Sequence, residues 1–195
     1  MNKPSGLLSV PGRGPENQDC LSARVQAVFP EALTVHRLDM STSGIIVMAR
    51  GLAVQRAMNR LFENRQVEKA YEAIVDGHLT PEKGSVDLPL ICDWPNRPRQ
   101  MVDHTIGKPS LTHYEVLTYD EIHHTSRVRL IPHTGRSHQL RVHMQALGHP
   151  ILGDDLYATP EALAKADRLL LHACELSFAH PATCEPLSLI CPAPF

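Results

Sequence analysis

Residues 44–75 read GIIVMARGLAVQRAMNRLFENRQVEKAYEAIV, and the fold class follows from the patterns in this stretch. The apolar run from Gly44 to Ala49 is short and carries Ile45, Ile46 and Val47, which predicts a buried strand. From 52 to 65 the apolar side chains Val54, Met58, Leu61 and Phe62 recur at helical spacing, with arginines on the outer face. Lys69 to Val75 then alternates and contains Tyr71, Ile74 and Val75, which suits a strand.

The same reading extends outward in both directions. Asp19 is placed to cap a helix carrying Leu21, Val25 and Val28, which ends near Pro30. Thr112 to Tyr119 and Arg127 to Ile131 predict strands, and so do Leu169 to Phe178 and Leu187 to Ile190. Ser137 is expected to cap a helix through Leu140, Met144 and Leu147, closed by Gly148. Thr159-Pro160-Glu161 has proline at the first helical position and predicts another helix start. The Pro-rich segment Leu88 to Pro98 contains Leu90, Ile91 and Trp94 and reads as a packed, ordered loop. Strands dominate, helices interrupt them, and no regular βαβ alternation appears. The expected class is α+β, with a mixed, mostly antiparallel central sheet and flanking helices. The length allows one sizeable domain or two very small ones, and a single domain over 1–195 is expected.

Composition narrows the function. Hydrophobic residues at 43% and charged residues at 21% exclude a disordered chain. No apolar run is long enough for a membrane span, and the N-terminus lacks a basic-then-apolar signal, so a cytoplasmic protein without a membrane partner is expected. Five cysteines, with no C-x-x-C pair, argue against a disulfide framework or a structural zinc site. The net charge of -2 speaks against a nucleic-acid partner, but Arg50, Arg56, Arg60, Arg65 and Lys69 cluster, which allows a local basic face on a weakly acidic protein.

Three segments could carry chemistry. His36-Arg37-Leu38-Asp39-Met40-Ser41-Thr42-Ser43-Gly44 places a carboxylate in a polar turn just before an apolar strand. Read locally, Asp39 bonding nearby backbone amides is the simpler role. Lys69-Ala70-Tyr71 opens a strand, where a phenol could stack on a base or simply sit half-buried. His133 to Arg141 (HTGRSHQLR) joins a strand to a helix. With the helix beginning at Ser137, Arg141 lies one turn in, where it serves a carboxylate, a phosphate or solvent.

Together and in this order the segments resemble the RluA family of pseudouridine synthases. The match also includes Asn2-Lys3-Pro4-Ser5-Gly6, Leu147 to Asp154 (LGHPILGD) and Leu170-Leu171-His172-Ala173, so that it spans essentially the whole chain. The run Asp87 to Arg97 (DLPLICDWPNR) is similar to the branch of the family that modifies both tRNA and large-subunit ribosomal RNA. The resemblance implies that Asp39 is the catalytic carboxylate, that Tyr71 packs on the target uracil, and that Arg141 pairs with Asp39. It implies that Arg37 fills the gap left by a flipped base, with His36, Arg136, His138 and Gln139 completing the RNA-contacting set. It also implies no cofactor and no metal, a monomer acting on the two RNAs, and a domain that lacks the strand usually found before the NKPSG-type segment.

Two other classes compete with this reading. A metal hydrolase would use His133, His138 and His143, but spacings of five leave one helical face, and no H-E-x-x-H occurs. A non-catalytic RNA-binding module would keep the basic residues and have no need of Asp39.

Overall fold

In the computed structural model, which describes residues 1–195, the elements run β1 (Asn2–Lys3), α1 (Leu21–Gln26), β2 (Ala32–Thr34), β3 (Ser43–Ile45), β4 (Met48–Arg50), α2 (Leu52–Glu63) and β5 (Glu68–Asp76). They continue with β6 (Lys83–Asp87), β7 (Leu90–Cys92), β8 (Gln100–Val102), β9 (Leu111–Asp120) and β10 (Thr125–Pro132). The last are α3 (Gln139–Ala146), α4 (Pro160–Ala164), β11 (Leu171–Ala179) and β12 (Pro186–Ile190). The chain divides into two compact units, Met1–Lys69 with His172–Pro194, and Ala70–Leu171 with Phe195.

In the first unit β3 is flanked by β1, antiparallel, and by β11, parallel; β12 adds to β11 antiparallel, and β2 pairs separately with β4. Ile45, Val67 and Leu176 are buried among Leu61, Phe62, Phe178 and Leu189, so the apolar face of α2 closes this core, as its spacing requires. In the second unit β5, β10, β9 and β6 are paired antiparallel in that order. Val75, Val128, Leu130, Leu140, Met144 and Ile151 form its core, with α3 supplying Leu140 and Met144. The parallel β3–β11 pair beside antiparallel ones, with a few helices, is the expected α+β class. No helix is long and apolar enough to cross a membrane.

Local expectations were met where a hydrophobic face decides the element. Thr159 caps α4 by accepting from the Ala162 N–H at 3.2 Å. They needed correction where partners decide it. The run Gly44 to Ala49 is two strands, because β3 pairs with β1 and β11 while β4 pairs with β2. Between them the Ile46 N–H donates to the Met1 carbonyl and the Val47 N–H to His36 Nε2. Helix α1 is capped by Cys20, whose Sγ accepts from the Ala23 N–H at 3.5 Å, while Asp19 instead pairs with Arg24 at 2.6 Å. Helix α3 starts at Gln139 and not at Ser137. His138 precedes it in the left-handed conformation, and the Arg136 N–H is taken by Gln139 Oε1 at 3.0 Å. The Pro-rich segment contains two short strands, β7 and β8, which pair as a hairpin.

Candidate functional site

Asp39 sits in a turn tied down on both sides. Leu38 donates its N–H to Ser9 Oγ at 3.1 Å, and Ser9 Oγ–H returns a bond to the Leu38 carbonyl at 2.6 Å. Beyond Asp39, the Met40 carbonyl accepts from the Gly6 N–H and from Lys3 Nζ, both at 2.9 Å, and the Ser41 carbonyl accepts from Ser5 Oγ at 2.7 Å. The turn closes on itself through the Thr42 N–H and the Asp39 carbonyl at 3.1 Å. The Asn-Lys-Pro-Ser-Gly segment is therefore the clamp of the carboxylate turn. Rigid backbone support of this kind holds a catalytic group in place.

Lys3 is the centre of the clamp. It is fully buried, and its ammonium donates to the carbonyls of Pro4, Leu7 and Met40 at 2.9, 2.7 and 2.9 Å. Burial pushes its pKa down to about 8, and the negative charge of Asp39 works against that fall. Near neutrality a positive charge thus stands behind the carboxylate. Lys3→Met takes the ammonium away from three carbonyls, of which that of Met40 keeps the Gly6 N–H, and we expect it to cost about 3 kcal/mol of stability. Urea unfolding at pH 7 checks this, and a loss below about 1 kcal/mol would remove the clamp from the account.

Next along the chain, Ser43 Oγ lies 2.8 Å from His172 Nδ1, and His172 Nε2 lies 3.1 Å from the Cys191 carbonyl. The carbonyl can only accept, so the imidazole proton is on Nε2, and Nδ1 accepts from the serine. Buried His172 thereby fixes the strand that leaves the Asp39 turn.

Arg37, two residues before Asp39 in the chain, is exposed. His36, expected at the RNA, has its ring turned inward: Nε2 accepts from the Val47 N–H at 3.0 Å, and the ring stacks on Phe62 at 4.9 Å. Burial first, and then the charges of Lys69 and the N-terminus, push its pKa from 6.5 to about 4. The unfolded chain therefore binds a proton near pH 6.5 that the folded chain refuses until about pH 4. This contribution is complete above pH 6.5 and is lost as the pH falls toward 4. A shift of this size corresponds to up to about 3 kcal/mol. His36→Gln keeps an acceptor and removes the titration, so between pH 7 and 4 the wild type is expected to lose that much more stability than the variant. Parallel pH profiles in urea unfolding would refute the assignment.

The second unit holds the remaining candidates. Tyr71 is half-buried on β5, opposite Leu130 of β10, and packs against the core of this unit. Arg136 is exposed, with Nε donating to the Pro109 carbonyl at 3.3 Å. Gln139, also expected at the RNA, is turned inward. Its Oε1 accepts from Thr134 Oγ1 and the Arg136 N–H at 2.7 and 3.0 Å, and its Nε2 donates to the Leu111 carbonyl and Thr112 Oγ1, both at 3.0 Å. It is a brace for the loop from 134 to 138. Arg141 is 2% exposed. Its Nε and Nη2 donate to the two Asp154 oxygens at 2.8 and 2.6 Å, Nη2 also reaches Asp155 at 3.0 Å, and its Cζ lies 5.1 Å from the Tyr157 ring centroid. His138 Nδ1 is 2.7 Å from Tyr157 Oη, which also accepts from the Gln100 N–H at 2.7 Å. His143, one of the residues weighed as a metal ligand, engages Thr112 Oγ1 at 2.9 Å and the Leu88 carbonyl at 3.2 Å.

The first unit thus holds His36, Arg37 and Asp39, and the second holds His138 and Arg141 at Asp154 and Tyr157, with Arg136 and Gln139 in the loop before them. Sequence reasoning missed the supporting residues Lys3, Ser9, Asp154 and Tyr157. The segments carrying Lys3 and Asp154 were visible as motifs, but spacing alone assigns such residues no partner.

Comparison with known proteins places these features in a family. A family model described as RNA pseudouridylate synthase matches residues 1–146. The dual-specificity RNA pseudouridine synthase RluA of Escherichia coli K12 is 57% identical over all 195 residues, which cover 89% of that protein. The protein of the same name from Yersinia pestis is 56% identical, again over the whole chain and over 94% of its own length. Among solved structures, human RNA pseudouridylate synthase domain containing 1 matches with a TM-score of 0.79 at 34% identity, over 90% of this chain and 75% of that one. Human RNA pseudouridylate synthase domain containing 4 matches with the same TM-score at 28% identity, over 99% and 84%.

Proposed function

The chain belongs to the RNA pseudouridine synthases and is an enzyme of that kind, and from this premise we propose that it acts on two RNAs, a tRNA and large-subunit ribosomal RNA, with Asp39 as its catalytic carboxylate. The dual-specificity name of its relatives supports the pair of substrates. The observation that carries the role of Asp39 is its turn, clamped at Leu38, Met40 and Ser41 with the buried Lys3 ammonium behind it.

The reaction moves uracil from one glycosidic bond to another. The N1–C1′ bond breaks, the ring turns over, and a C5–C1′ bond forms; C5 loses its proton and N1 gains one. The target uridine must first leave its stack, at a cost of a few kcal/mol. We assign Tyr71 to packing on the freed uracil and Arg37 to the place it vacates, contacts that offset part of that cost. Arg141 serves the charge of the catalytic carboxylate. At about 4 Å and an effective dielectric of about 20 such an attraction is worth about 4 kcal/mol. Arg136 and His138 meet the RNA, while His36 and Gln139 act through the segments they brace. The enzyme works as a cytoplasmic monomer without cofactor.

The test is tritium release from RNA labelled at uridine C5, with an anticodon stem-loop and a ribosomal stem-loop as separate substrates. Release from both is expected. Release from one alone would overturn the dual specificity, and release from neither would leave an RNA-binding module.

A further inference from the structure

The hairpin β7–β8 carries an aromatic and basic tip for which the reaction has no use. Between Cys92 and Gln100 the chain turns through Asp93 to Arg99, held by the Asp93 N–H to the Arg99 carbonyl at 3.0 Å and by the Arg99 N–H to the Asn96 carbonyl at 3.1 Å. Trp94, the sole tryptophan, projects from this tip and is 64% exposed. The Arg97 guanidinium lies 4.6 Å from its ring centroid, and Arg97 Nε donates to the Trp94 carbonyl at 3.2 Å. The turn carries two arginines, Arg97 and Arg99, and one carboxylate, Asp93, one oxygen of which is occupied by Asn96 Nδ2 at 2.9 Å.

An indole this exposed presents ring surface on which a flat group can stack. The tip is also tied to the segment with the RNA-contact candidates. The Gln100 N–H at its base donates to Tyr157 Oη, the Arg99 guanidinium lies 5.4 Å from the Tyr157 ring centroid, and Tyr157 in turn holds His138 and Arg141. Within this unit the hairpin is therefore an outward extension of that segment. An exposed indole under a guanidinium, flanked by positive charge, matches an unpaired base with its phosphate. Every base has a face that stacks on an aromatic ring, and arginine adds attraction to both base and phosphate.

We propose that the tip of the β7–β8 hairpin is a second RNA-binding element, where Trp94 stacks on an unpaired loop base other than the isomerised uridine and Arg97 meets its phosphate. This rests on the pseudouridine synthase reading and adds to it a determinant of loop recognition away from the reacting base.

Because Trp94 is the only tryptophan, its fluorescence reports the event directly. Titration with an anticodon stem-loop is expected to quench the emission saturably, with the same Kd as filter binding. Trp94→Ala is expected to weaken binding about tenfold and to raise KM accordingly, while kcat changes less than about twofold; Trp94→Phe should restore most of the binding. Binding by Trp94→Ala within about twofold of wild type, or a fall in kcat as large as the rise in KM, would overturn the proposal. If the wild type released no tritium, the enzyme reading would fail while quenching still tested the platform. If the wild type were active and Trp94→Ala neutral, only the platform would fail.

Discussion

Asp39→Asn is expected to lower tritium release from C5-labelled uridine RNA by about 10⁴-fold or more, with the fold and the RNA affinity retained. The substitution keeps the shape of the side chain and removes its charge and basicity. The bonds that Ser9, Lys3, Ser5 and Gly6 make to the turn run to the main chain of Leu38, Met40 and Ser41, so asparagine leaves those in place. The Lys3 ammonium loses the nearby negative charge that opposes its deprotonation, and its pKa should drop below about 8. Single-turnover release with saturating enzyme, alongside filter binding, separates chemistry from affinity. A variant rate above about 1% of wild type would show that Asp39 does not do the chemistry. A loss of binding in proportion to the loss of release would show that the residue acts on the RNA complex instead.

The second large effect concerns stability. Gly44→Ala should destabilise the protein by about 4 kcal/mol or more. Gly44 has φ +114°, where a side chain is strained, and a Cβ there would lie 2.3 Å from the Ala173 carbonyl oxygen and 2.5 Å from the Ala173 nitrogen. Both are main-chain atoms of the strand paired to β3, so relief requires separating β3 from β11. That separation also pulls Ser43 from His172 and loosens the exit of the Asp39 turn. Thermal unfolding should show the midpoint lowered by about 10 °C, with residual activity at low temperature reduced in step with the folded fraction. A midpoint within about 2 °C of wild type would mean that the β3–β11 pairing has slack that its close approach denies.

The local signals succeeded where a residue's environment depends on near neighbours in sequence. Helix α2 was legible because Val54, Met58, Leu61 and Phe62 repeat at the helical period, and β5 because Lys69 to Val75 alternates, a pattern with few other solutions. Read locally, Asp39 was a turn carboxylate with a structural role as the simpler account. Only its order with Tyr71 and Arg141, within a resemblance along the whole chain, turned it into a catalytic candidate. Distances of 32 and 102 positions along the chain carry no local periodicity, so no pattern within a window could have linked them.

What the sequence determined by itself was the α+β class, most elements and the family, because hydrophobic period and motif order are properties of the chain alone. The tertiary structure decided how the carboxylate turn is held. The partners of Leu38, Met40 and Ser43 are Ser9, Lys3 and His172, and for Ser43 the separation is 129 residues. It also decided that the apolar run from Gly44 to Ala49 is two strands, that His36 and Gln139 turn inward, and that Arg141 is gripped by Asp154. Each of these depends on which buried donor finds which acceptor. Burial makes that pairing obligatory, because an unmatched polar group is costly inside, but only the tertiary arrangement brings a particular donor to a particular acceptor.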